Sequence, residues 1–164
     1  MEYDETSKYF SYLDEDQDLW SLLNRTRYAV YRAREKELQR YSISTEQVSV
    51  LFIVQAMDNK ATPVALTRYL LKQPHTVSSL VNRMAGRGLI KKFKDLDRKN
   101  LVRIEITEKG MKAYEQSTKR GPIHRIMVKL SPEEKKQVRQ SLEKIYNQAR
   151  KEIGLDIDRL PSSE

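Results

Sequence analysis

The chain has 164 residues, with 31 Lys or Arg against 23 Asp or Glu, a net charge of +8 and no cysteine. That is one domain's worth of chain, and the missing thiols exclude disulfides, thiolate metal sites, thiol nucleophiles and thiol redox sensing. The start, Met1 to Glu5, is acidic with no apolar h-region, and the longest apolar stretch, Val48 to Met57, falls far short of the ~18 residues of a membrane span, so we expect a soluble, cytoplasmic protein with no membrane contact.

Residues 1–15 mix Tyr, Ser and acids without a period and read as an arm or a short irregular helix. From Asp16 the residues Leu19, Leu22, Leu23, Thr26, Val30 and Ala33 recur at three and four, which predicts a long amphipathic helix to about Gln39. Ser44 and Gln47 have capping-box spacing and open a second helix to about Met57. Thr62-Pro63 opens a short third helix that Pro74 ends near Leu71. Pro74 then opens and Gly88 closes a fourth, with Val77, Leu80, Val81 and Met84 as its buried stripe and His75, Thr76, Ser78, Ser79, Asn82 and Arg83 outside.

The period then changes. Leu89 to Lys94 and Leu101 to Ile106 are short runs rich in Ile, Leu, Val and Phe around the polar turn 95–100, which predicts a hairpin. Thr107 caps a helix over 108–119 that breaks at Gly121-Pro122 and resumes toward Leu130. Ser131-Pro132 opens the last helix, striped by Val138, Leu142, Ile145, Ala149 and Ile153 and stopped at Gly154. Only 38% of residues are apolar and 33% are charged, a thin supply for a self-contained globule. The first helix and the last two lie at opposite ends of the chain with their stripes to cover, which points to a homodimer.

Charge is concentrated in the middle. Between Lys60 and Arg103 eleven basic residues face two acids, so that segment carries +9 and the rest of the chain −1. Nucleic acid is the default partner of such a polyanion-binding face. A solvated Lys/Arg surface is the bland alternative. The order of elements decides for double-stranded DNA: two short helices with a tight turn, the second offering hydroxyls, an amide and Arg, then a basic hairpin, describe a winged helix-turn-helix in a mainly α chain with a small β-hairpin wing. Small polar side chains allow close approach to the major groove, Arg and Asn make bidentate base contacts, and a basic hairpin tip suits the minor groove.

The run P-H-T-V-S-S-L-V-N-R-M-A-G-R-G-L-I from Pro74 to Ile90, followed by D-L-D-R-K-N-L-V-R-I-E-I-T-E-K-G from Asp95 to Gly110, resembles the recognition helix, wing and next helix start of MarR-type bacterial transcription regulators. The resemblance extends over essentially the whole chain. It implies one domain, with a winged lobe at 44–107 between dimerisation helices at 1–40 and 108–160. It further implies an obligate homodimer on a pseudo-palindromic operator, acting as a repressor released by a small, often aromatic, ligand. By the same resemblance Thr76, Ser78, Ser79, Asn82 and Arg83 are DNA-binding positions on the recognition helix, and Asp97, Arg98 and Lys99 are those of the wing; His75, beside them, is itself read as a phosphate or base contact. Gly121-Pro122 departs from the family in interrupting a helix that is usually continuous, and the missing cysteines exclude its thiol-sensing branch.

Other chemistry has little support. The five glycines form no phosphate-cradling spacing, and His75 and His124 stand outside any metal-ligand pattern, so no catalytic residue, metal or cofactor is expected. Trp20, Tyr28 and Tyr31 belong to an aromatic cluster in the first thirty residues, read either as dimer-interface packing or as the lining of an effector pocket. An architectural or RNA-binding winged helix without effector is the alternative function.

Overall fold

The structure, a computed structural model, describes residues 14–95 and 101–154. Helix α1 (Glu15–Leu38) runs through a 3₁₀ turn (Gln39–Tyr41) into α2 (Thr45–Ala56), α3 (Pro63–Leu70) and α4 (Pro74–Gly86). Strands β1 (Ile90–Lys94) and β2 (Val102–Ile106) follow, then α5 (Glu108–Ser117), α6 (Gly121–Met127) and α7 (Pro132–Glu152). The strands pair antiparallel with Ile90 opposite Ile106 and Lys94 opposite Val102.

Local chemistry sets the helix starts. Asp14 Oδ1 accepts from Gln17 N at 2.8 Å, and Glu15, Asp16 and Asp18 sit in the positive first turn of α1. Ser44 Oγ accepts from Gln47 N at 3.2 Å while Gln47 Oε1 accepts from Ser44 N at 3.1 Å, a complete capping box. Ser131 and Glu134 repeat it at the start of α7, and the backbone N–H and hydroxyl of Ser131 hold the Glu134 carboxyl below its ordinary value.

The core is gathered around α2, whose Val50, Leu51, Ile53 and Val54 are buried. Onto it pack Leu38 and Ile43, Leu66 of α3, the stripe Val77, Leu80, Val81 and Met84 of α4, and Leu89, Ile90 and Ile104 of the hairpin. Each such side chain contributes roughly 1.5–3 kcal/mol by leaving water. The hairpin is tied in further by its main chain: Ile104 N donates to the Ala61 carbonyl at 2.9 Å, and Ile106 N donates to Asn59 Oδ1 at 3.0 Å.

The stripe of α1 stays outside this core: Leu19 and Leu22 are more than half exposed, and in α1 only Arg34 and Leu38 are buried. One expectation needs correction. Gly121-Pro122 does not leave a gap in one helix but opens α6 after Arg120 turns left-handed (φ 49°), and α6 ends at Met127, short of Leu130. Proline fits there because the first turn of a helix has no partner for its N–H. The corner is bolted to α1 by Arg34, which donates to the Glu37 carboxylate and the Ser117 carbonyl, while Glu37 Oε1 accepts from Gly121 N at 2.9 Å. No residue of α6 or α7 is buried.

The first turn of α5 lies against the junction between α4 and β1. A Cβ at Gly110 would stand 1.9 Å from the Leu89 carbonyl oxygen, whereas one at Gly86 would meet nothing within 4 Å. Gly110→Ala is therefore expected to destabilise the fold by about 3 kcal/mol through overpacking, and Gly86→Ala to be neutral or stabilising by up to about 1 kcal/mol. Urea denaturation of the two variants checks this.

Candidate nucleic-acid interface

Helices α3 and α4 form a helix-turn-helix joined through Leu71, Lys72 and Gln73, with Leu71 left-handed at φ 52°. The apolar stripe of α4 fixes its rotation, so the opposite side must face water. His75, Ser79 and Asn82, spaced by four and three, form the outermost line; Ser78 and Arg83 flank it exposed, and Thr76 is half-buried at its edge. All six predicted positions of this helix thus share one end of the molecule. Arg83 makes no ion pair or hydrogen bond among the described residues.

The hairpin stands beside this face. Its far end is closed by Asp95 N donating to the Leu101 carbonyl at 2.9 Å. Arg103 ties that end to the body: Nε donates to Asp95 Oδ2 at 2.8 Å and Nη1 donates to the Lys60 carbonyl at 2.9 Å. Asp97, Arg98 and Lys99 lie outside the described residues. Some of the segment's charge is locally neutralised, since Lys72 pairs with Glu46 at 2.7 Å and Lys91 with Glu105 at 2.6 Å. Lys92 and Lys94 have no carboxylate partner among the described residues, so their charge remains available beside α4.

Two basic residues of this region escaped the sequence reading. Lys92 Nζ donates to Asn82 Oδ1 at 2.7 Å, and strand alternation carries the signal for it: Lys92 shares a face with Ile90, which is buried against α4. Arg87, just past the end of α4, donates to Gln47 Oε1 at 2.9 Å and to the Ser42 carbonyl. It fastens the recognition helix to the corner between α1 and α2; no local pattern announces that contact, which spans forty residues of chain.

Two concave spaces lie away from this face. An open apolar channel of about 950 Å³ runs between α1 and α7, lined by Leu19, Leu22, Val30, Val138, Leu142 and Ile145 among others. Tyr31 sits at its edge, where partial burial and then the carboxylates of Glu35 and Glu46 hold the phenol above its ordinary value. A smaller pocket of about 370 Å³ lies between α2, α3 and α5, bounded by Phe52, Tyr69, Tyr114 and Arg120. Trp20 and Tyr28 line neither space. Among the described residues no cluster of three His, Asp or Glu could hold a metal, and no helix is long and apolar enough to cross a membrane.

The helix-turn-helix, the flanking hairpin and the helical arms define a winged helix protein of the kind that regulates transcription. A MarR family model matches residues 41–100. The organohalide-sensing RdhR transcriptional regulator, solved with 2,4-dichlorophenol bound, is 31% identical over 89% of this chain and 85% of its own, with a TM-score of 0.77. A MarR variant from E. coli complexed with operator DNA shares 19% identity over 78% of this chain and 93% of its own at a TM-score of 0.73. The S. aureus MepR–DNA complex shares 22% over 78% and 96%, at 0.72. No curated protein matches. The chain belongs to the MarR family, and its family and fold are those of transcription regulators rather than enzymes.

Proposed function

We propose that the protein is a homodimeric repressor without enzymatic activity that binds a pseudo-palindromic duplex operator and leaves it when a small aromatic ligand binds. The observation that carries the DNA reading is the meeting of small polar side chains and cations without carboxylate partners on one exposed edge: His75, Ser78, Ser79, Asn82 and Arg83 on α4 beside Lys92 and Lys94 on β1. Hydroxyls allow close approach to base edges and the cations meet phosphates, with half-buried Thr76 at the edge of the same face. The wing positions Asp97, Arg98 and Lys99 follow directly on this edge in sequence and are proposed for the minor groove. Operator DNA in the MarR complex and DNA in the MepR complex support the same reading.

Dimerisation follows from the channel. Val138, Leu142 and Ile145 of α7 are each more than two-fifths exposed and face the open stripe of α1. A second copy inserting its own terminal helices would remove this apolar surface from water and place two α4 helices about 34 Å apart, one turn of DNA. Such a partner would cover Tyr31.

The ligand is then better seated in the pocket between α2, α3 and α5. Its walls are Phe52, Tyr69 and Tyr114, with Phe52 about half exposed between buried Leu51 and Ile53. Arg120 at its rim makes no ion pair among the described residues and holds a left-handed backbone that costs a non-glycine residue of order 1 kcal/mol or more. Aromatic walls with one cation suit a phenolate or benzoate. The dichlorophenol in the RdhR structure is of this class.

Four measurements test the reading. At ~150 mM salt the protein should bind one short duplex far more tightly than random duplex. Arg83→Ala should cost about 1–3 kcal/mol and relax one or two positions per half-site, and Arg98→Ala should weaken preference for A·T content at the flanks; equal affinity for duplex and RNA of any sequence would instead favour the architectural alternative. In sedimentation the protein should stay dimeric at nanomolar concentration, and Leu142→Asp or Ile145→Asp should give monomers that have lost the duplex. Chlorinated phenols and benzoates should release the duplex from the wild type at concentrations that leave Arg120→Ala bound.

A further inference from the structure

We propose that Asn82 is a positioning residue that holds the Lys92 ammonium over one DNA phosphate at the seam between recognition helix and wing, and that it does not read a base. The inference rests on the DNA-binding reading above and assigns a role within it.

Hydrogen-bond direction carries the argument. A bidentate Asn contact to adenine aims the amide oxygen and nitrogen together at the base edge. Asn82 Oδ1 is instead aimed at Lys92 Nζ, from which it accepts at 2.7 Å; an ammonium can only donate, so it is the oxygen that faces β1, and although that oxygen keeps a second lone pair the bond turns the amide toward the strand. The contact follows from the fold. Ile90 is buried, Lys92 is next along the same face of β1, and it stands opposite fully buried Ile104. Its stem therefore leaves the hairpin toward α4.

Charge points the same way. Lys91 on the other face of β1 is paired with Glu105, and Arg103 with Asp95. Lys92 meets a neutral amide, so it is oriented without being neutralised. One of its three N–H bonds goes to Asn82 and two remain for phosphate oxygens.

The test uses the full-length protein and the duplex that the wild type selects from a randomised library. Both residues are exposed, so Asn82→Ala and Lys92→Ala should keep the wild-type thermal midpoint. Lys92→Ala should lose roughly tenfold in affinity on selected and unrelated duplexes alike, and lower the slope of log affinity against log salt by about 1. Asn82→Ala should weaken binding uniformly by a smaller factor, select the same consensus as the wild type, and add nothing to Lys92→Ala in the double variant. An Asn82→Ala consensus relaxed at one position per half-site, or losses that multiply in the double variant, would overturn the proposal. A wild type that binds no duplex would overturn the DNA-binding reading itself, and this proposal with it, so the two failures are distinct.

Discussion

Burial of the α4 stripe against α2 and the hairpin is the packing on which the candidate interface depends. Val77, Leu80, Val81 and Met84 cover one side of α4, and the face left outward is the one that carries His75, Ser79 and Asn82. A rotation of the helix by one residue would bring Asn82 and Ser78 toward the core and turn Leu80 and Met84 out of it, leaving buried polar groups without partners. Hairpin and α5 are placed by the same unit. Ile90 and Ile104 share the core with α4, and Gly110 allows the first turn of α5 to lie against the Leu89 carbonyl. Recognition helix and wing base are in this way parts of one rigid body.

That core serves only the central part of the chain. It draws on residues from Leu38 to Ile104, with Ala113 and Tyr114 of α5 packed against it, and beyond α5 the apolar residues face a channel. Ridges on α1 and α7 with no layer between them leave an apolar channel open to water, which is the surface that the proposed second copy would cover. What links the two regions is polar: Arg34, nearly buried, holds the α5–α6 corner to α1, and Arg87 holds the end of α4 to the α1–α2 corner.

Much of the local structure was legible in the chain. The boxes at Ser44/Gln47 and Ser131/Glu134, the prolines at 63, 74 and 132 and the stripe of α4 each act within a few residues, so their patterns predict helix starts and rotation. The stripe of α1 was equally clear, yet its period said only that one face avoids water and not what covers it. The α5–α6 corner misled for a related reason: Gly121-Pro122 signals a break, but the left-handed turn at Arg120 and the bond from Gly121 N to Glu37, eighty-four positions apart, decide that a new helix begins there.

The same division applies to the candidate interface. Residue types, spacing and the +9 of the middle segment are properties of the chain by itself, and they determined the winged helix-turn-helix, the family and the outward set on α4. Which of those side chains are free to act was decided only by tertiary structure, because it turns on partners from other elements. Lys91 and Arg103 are neutralised by Glu105 and Asp95, Lys92 is not, and Asn82 Oδ1 is turned toward Lys92. Hydrogen bonds and ion pairs need atoms within about 3 to 4 Å, and for residues separated along the chain only the folded core brings them that close.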